Sequence, residues 1–181
     1  MLKTLRQIAS VGVVTEPPPD PEDSLRVREI LQGKIRAVLG RALSIRHIDA
    51  GSCNGCELEI HALNNPLYNL EGLGMRFVAS PRHADLLLVT GPVSRHMHAA
   101  LVRTYEATPA PKLVVAIGDC GCTGGVFGEN YANCGRISNV IPVDVAVPGC
   151  PPTPTRILAG ILTAVTDSQA VHRGGRNGPK R

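Results

Sequence analysis

Between Ser44 and Val165, five short and nearly unbroken apolar runs alternate with segments of helical character. This alternation restricts the fold more than any other feature of the chain. The runs are Ile45–Ala50, Met75–Ala79, Asp85–Thr90, Lys112–Ile117 and Pro142–Val147. Most lack the in-and-out periodicity of a half-solvated strand, as expected for parallel strands covered on both faces. Helical candidates lie between and after them, at Glu57–Leu63, Val93–Glu106 and Thr153–Val165. Strands interleaved with helices predict an α/β domain built on a doubly wound parallel sheet. Apolar residues make up 43% of the chain, with no Trp, two Phe and three Tyr, so the core must be aliphatic.

In open parallel sheets, ligands bind in the crevice beyond the carboxyl ends of the strands. Cysteines occupy those ends here. Cys53 and Cys56, in Gly51-Ser-Cys-Asn-Gly-Cys-Glu57, follow the first run, Cys120 follows Lys112–Ile117 and Cys150 follows Pro142–Val147. Together they supply four soft ligands, the number an iron–sulfur cubane takes. Glycines in the same loops, among them 51, 118, 125 and 149, let backbone approach a bulky cluster without Cβ clashes. A structural zinc ion competes for the same thiols. Zinc sites usually pair two close Cys-x-x-Cys units, however, and this chain has only one, Cys53 to Cys56. A nucleophilic cysteine is less favoured still, because no histidine holds an evident partnering position.

The remaining candidates are weaker. Cys122, two residues after Cys120, reads as an alternative ligand or a small buried thiol, and Cys134 as a loop residue. Both are left out of the ligand set. Glu59, three positions beyond Cys56, is placed to face the cluster as a proton-handling carboxylate; the alternative is a surface glutamate. Arg82 ends the Met75–Ala79 segment on the ligand edge, where a cation would offset cluster charge; otherwise it is an ordinary loop arginine. His96 and His98 suit core or solvent roles better than ligation.

The flanks divide the chain further. Residues 1–23 read as an N-terminal arm, with an amphipathic stripe at Leu2, Leu5 and Ile8, followed by a Pro-rich spacer at Pro17-Pro-Pro19 and Pro21. Residues 24–43 read as an amphipathic basic helix, 44–168 as the α/β domain and 169–181 as a basic tail. The basic helix suits an acidic subunit or a lipid border, with a solvated face as the alternative. Nucleic acid is disfavoured, because no aromatic platform accompanies the charge. No run of 18 apolar residues exists, and the N-terminus shows neither an apolar signal core nor a twin arginine. A cytoplasmic location is therefore expected, where six cysteines are more readily metal ligands or free thiols than disulfides.

Taken together, the motifs resemble the small-subunit family shared by [NiFe] hydrogenases and the 20 kDa (B-type) subunit of NADH:quinone oxidoreductase, complex I. The resemblance spans about Ile48 to Leu162, through Cys53-Asn-Gly-Cys-Glu-Leu-Glu59, Ser80-Pro-Arg-His-Ala-Asp85, Gly118-Asp-Cys120, Gly124-Gly-Val-Phe127 and Pro142 to Pro152. Met1 to Pro18 looks like the opening of the membrane-bound, energy-converting hydrogenases of the formate hydrogenlyase type. The resemblance implies a flavodoxin-like domain with a single [4Fe-4S] cluster at the carboxyl-end edge of the sheet. It implies Cys53, Cys56, Cys120 and Cys150 as ligands, Glu59 as the family's acidic position and Arg82 as its cluster-adjacent arginine. The implied partners are a [NiFe]-type large subunit or a complex I quinone-site subunit, a ferredoxin-like subunit and membrane-arm subunits. The implied place is the cytoplasmic face of the cell membrane, in a peripheral position. Quinone-reducing relatives typically have adjacent cysteines at the first motif, so Cys-Asn-Gly-Cys resembles the hydrogenase branch; nickel-free relatives stay open.

Overall fold

The computed structural model describes residues 2–11 and 41–174, with 29, 30, 33 and 37 as isolated positions. Strands β1 (Leu43–Asp49), β2 (Met75–Phe77), β3 (Leu86–Thr90), β4 (Leu113–Ile117) and β5 (Val145–Val147) form one sheet in the order β2-β1-β3-β4-β5. Every pairing is parallel. This is the flavodoxin-like strand order, in which the chain leaves β1 toward one edge and resumes on its other side as β3. The helices are α1 (Leu2–Val11), α2 (Gly55–Ala62), α3 (Arg95–Ala107), α4 (Gly118–Thr123) and α5 (Pro154–Gly174).

The missing alternation of the strands has a direct cause in the packing. All five residues of β3 are buried. Successive side chains point to opposite faces of a strand, and here both faces are covered. Leu86 and Leu88 join Val115 and Ile117 of β4 beneath Ile60 of α2 and Ile157 and Ile161 of α5. Leu87 and Val89 join Val114 and Ala116 on the other face, beneath Leu101 of α3 and Ile137. Each of the Val, Leu and Ile side chains contributes about 1.5–3 kcal/mol on burial, so the sheet is anchored from both sides.

Side chains trim several expected boundaries. Asp85 does not continue β3. Its carboxylate accepts from the Arg41 guanidinium and, at 3.0 Å, from the Ser44 amide. Likewise β5 starts only at Val145, because Asp144 uses Oδ2 to accept the Val114 amide at 2.7 Å. Helix α3 begins at Arg95 rather than Val93, since Ser94 caps it by accepting the Met97 amide. At its far end Lys112 donates to the Tyr105 and Thr108 carbonyls, a cation where the helix dipole favours one.

The terminal readings fare unequally. Leu2–Val11 is helical, whereas the Pro-rich spacer and most of the 24–43 segment, including Arg26, Arg28 and Arg36, lie outside the described residues. Residues 175–181 lie outside them too, while α5 runs to Gly174, past the expected end at Val165. Among the described residues, no helix is long and apolar enough to cross a membrane.

The strand exits pack against one another through a glycine. Gly91 leaves β3 with φ +80°, and a Cβ there would stand 2.5 Å from the Ser52 amide nitrogen. Gly91→Ala is therefore expected to destabilise the chain by about 2–4 kcal/mol, from left-handed strain plus overpacking. A shift of the urea midpoint at constant slope would measure it.

Candidate metal centre

Three strand exits carry the thiols to one rim of the sheet. After β1, Asp49 Oδ1 accepts the amides of Gly51 and Ser52, both at 2.8 Å. This local turn, typical of aspartate, swings the chain into Cys53. Asn54 then adopts a left-handed conformation (φ 72°) and starts α2, which places Cys56 in the helix's first turn. Cys120 rides on α4, the short helix that follows β4 directly. Cys150 follows β5 through Pro148 and Gly149.

Close backbone approaches tie these segments together. Gly118 has φ +84°, and a Cβ on it would lie 2.5 Å from Cys56 Sγ and 3.4 Å from the Gly149 carbonyl oxygen. A Cβ on Gly125 would lie 2.7 Å from Cys120 Sγ. Asp119 donates its amide to the Gly149 carbonyl at 2.9 Å, and its Oδ1 accepts the Gly149 amide at 2.8 Å. The Cys120 and Cys150 loops are thereby bonded in both directions.

The thiols sense one another electrostatically. Burial, then the charges of Glu57, Cys53, Cys120 and Cys150, push the Cys56 thiol up to about 12. Burial, then Cys150, Cys53 and Asp119, also push Cys120 up. Cys56 and Cys120 are thereby held as neutral thiols, by burial first and by neighbouring negative charge second. Iron bound there would reverse that balance and favour the thiolates. Four soft donors, glycine clearance beside two of them and mutual repulsion as thiolates together fit an iron–sulfur cluster. Among the described residues, no group of three or more His, Cys, Asp or Glu is arranged to hold a single metal ion.

The other predicted residues are placed as follows. Glu59 is half-buried on α2. Arg82 is exposed in the 3-10 turn Pro81–His83 between β2 and β3. His96 and His98 are exposed on α3. Cys122 turns inward, its Sγ 3.7 Å from the Ala116 carbonyl oxygen, and packs with Cys134 against the Leu87, Val89 and Ile137 cluster. Burial foremost, with a contribution from Asp119, raises the Cys122 thiol to about 11.

Sequence reasoning passed over three carboxylates. Asp49 and Asp119 hold the loops just described, and Glu57 is buried at 5% exposure with neither oxygen hydrogen-bonded. His47 Nε2 stands 3.8 Å from Glu57, too far for a hydrogen bond. Burial also keeps His47 below its ordinary pKa, although Glu57 and Asp49 pull the other way. We therefore read this contact as a carboxylate beside a neutral ring rather than as an ion pair. Meanwhile Leu58, next in sequence, is 61% exposed. A helix that buries its acid and exposes its leucine inverts the usual pattern, as chains do where function overrides packing. The available signal was an acid directly beside the candidate ligand Cys56.

Comparison with known proteins identifies relatives of the chain. The chain is 48% identical over 127 residues to the probable membrane-bound hydrogenase subunit mbhJ of Pyrococcus furiosus, covering 70% of this chain and 76% of that one. It is 43% identical over 136 residues to formate hydrogenlyase subunit 7 of Escherichia coli, covering 75% of this chain and 53% of the relative, so it spans about half of that protein's length. The B-type subunit of the NADH-quinone oxidoreductase of Heliobacterium modesticaldum is 38% identical over 144 residues, covering 77% of this chain and 81% of that one. Among solved structures, a chain of the membrane-bound sulfane sulfur reductase, an archaeal respiratory membrane complex, superposes with TM-score 0.62 at 32% identity over 78% of each chain. The family model described as NADH ubiquinone oxidoreductase, 20 Kd subunit, matches residues 53–164, from the first candidate ligand into α5, and the chain belongs to that family of oxidoreductase-complex subunits.

Proposed function

We propose that this chain holds one [4Fe-4S] cluster on Cys53, Cys56, Cys120 and Cys150 and serves as the electron-relay subunit of a membrane-bound hydrogenase. The observation that carries the reading is the gathering of these thiols at one rim, where Gly118 leaves no room for a Cβ beside Cys56. When bound, the cluster supplies one-electron storage; bond making and breaking belong to the partner's metal site. The chain's own residues supply the thiolates, the glycine clearance and the carboxylates that shape the loops. A ferredoxin-like subunit would exchange electrons on one side and a [NiFe]-type large subunit on the other. Arg82 would offset cluster charge from the turn Pro81–His83 that leads into β3, and Glu59 would pass protons along α2. The complex would sit on the cytoplasmic face of the membrane, with this chain peripheral to its membrane-arm subunits.

The Cys53-Asn-Gly-Cys56 spacing, together with the identity to hydrogenase and formate hydrogenlyase subunits, supports the hydrogenase branch over quinone reduction. The superposition on a chain of a sulfane sulfur reductase complex favours a second reading, a nickel-free relative with the same relay. The purified complex separates them. Dithionite reduction should produce a cluster signal in electron paramagnetic resonance, and an artificial donor should drive hydrogen evolution. A signal without hydrogen evolution or nickel selects the second reading. Zinc in place of iron, with no reducible signal, would end both.

A further inference from the structure

We propose that Asp119 is a positioning residue that sets the spacing of the Cys120 and Cys150 loops and, through its carboxylate charge, lowers the reduction potential of the group they hold. The inference rests on the cluster reading above and extends the loop contact of Asp119 to an effect on the group those loops hold. Asp119 sits between Gly118 and Cys120 at the start of α4. Its backbone amide donates to the carbonyl of Gly149, and its own Oδ1 accepts the Gly149 amide, so one residue makes both bonds to the residue just before Cys150. Among the described residues, Asp49, by contrast, accepts only amides of its own loop. The two loops also meet at the Gly118 approach and where α4 lies against β5.

The two contributions are chemically separable. A hydrogen bond accepted by a carboxylate is stronger than a neutral one, but a side-chain amide oxygen accepts in the same place. The negative charge acts differently. It stands beside the cluster's ligand and opposes the arrival of an electron, which holds the potential down. Asp119→Asn retains the acceptor and removes the charge, whereas Asp119→Ala removes both.

The test uses the full chain with iron and sulfide reconstituted anaerobically, followed by chelator challenge with EDTA and redox titration monitored by electron paramagnetic resonance. Wild-type chain is expected to hold its cluster. D119A should lose it to EDTA about tenfold faster, the equivalent of one charge-assisted hydrogen bond. D119N, which keeps a neutral hydrogen bond, should lose it only about threefold faster and titrate at a more positive potential. A wild-type chain that takes up no cluster refutes the cluster reading, and this inference with it. A wild-type chain that holds its cluster, with D119A equally resistant to EDTA, overturns the positioning role alone. An unchanged potential in D119N overturns the charge effect. Should D119A fail to fold, D119N still decides: rapid loss there shows that the acceptor geometry is not what matters.

Discussion

Replacing Cys150 with serine is expected to abolish the dithionite-reducible signal and to weaken cluster retention at least about 100-fold. Changes one step removed from metal ligands already cost about 10–100-fold, and loss of a ligating thiolate should cost no less. Cys150 is exposed at its loop and makes no contribution to either core cluster, so the protein should stay folded. Iron content per chain and the paramagnetic spectrum measure the first effect, and thermal melting of the apo chain checks the second. Cys122→Ser is the matched control. That thiol faces the Ala116 carbonyl and the apolar face under α3, so iron content should stay at the wild-type level while melting temperature falls slightly. The reverse outcome, iron lost in C122S and kept in C150S, would show the ligand set to be misassigned.

Gly118→Ala should be nearly as damaging, by a different route. The new methyl would lie 2.5 Å from Cys56 Sγ on a backbone at φ +84°. The left-handed conformation alone costs about 1–2 kcal/mol for a residue with a Cβ. Relieving the clash then moves either the Cys56 thiol or the β4 exit, costing about 1–3 kcal/mol more. Stability of the apo chain should therefore drop by about 2–5 kcal/mol, and the surviving folded fraction should take up little iron. Combining urea unfolding with iron determination separates the two losses. A variant that is destabilised but binds iron normally would show that Gly118 serves the fold and not the site.

The sheet was legible because its strands are short, aliphatic and spaced by helices, and five runs became five strands. What sequence patterns misplaced were edges set by side chains acting in place of backbone. Asp144 occupies an amide that a longer β5 would have paired, and Asp85 does the same service for Ser44 at the head of β1. Helix α4 escaped notice for another reason. Gly-Asp-Cys-Gly-Cys-Thr has poor intrinsic helix propensity, and it is helical where it packs against β4 and β5. The thiol positions at the strand ends were legible from topology alone, because a parallel sheet sends every strand's exit to one side. The carboxylates that hold those exits were not, since a loop aspartate looks the same in sequence whether it grips a neighbouring loop or only water. In α2 the sequence analysis weighed Glu59 and not its neighbour Glu57, whose burial depends on how the helix sits against the sheet.

The strand order has a bearing on how such a chain matures. Its first two cysteines leave β1 in the interior of the sheet, whereas the last follows β5 at the far edge, paired only to β4. Contacts this distant along the polypeptide form late in folding. A nascent chain still lacking its final strand offers two or three thiols and an unfinished rim. If the rim holds the proposed cluster, iron and sulfide would meet all four thiols only after β5 has joined the sheet, and loading would follow that late step.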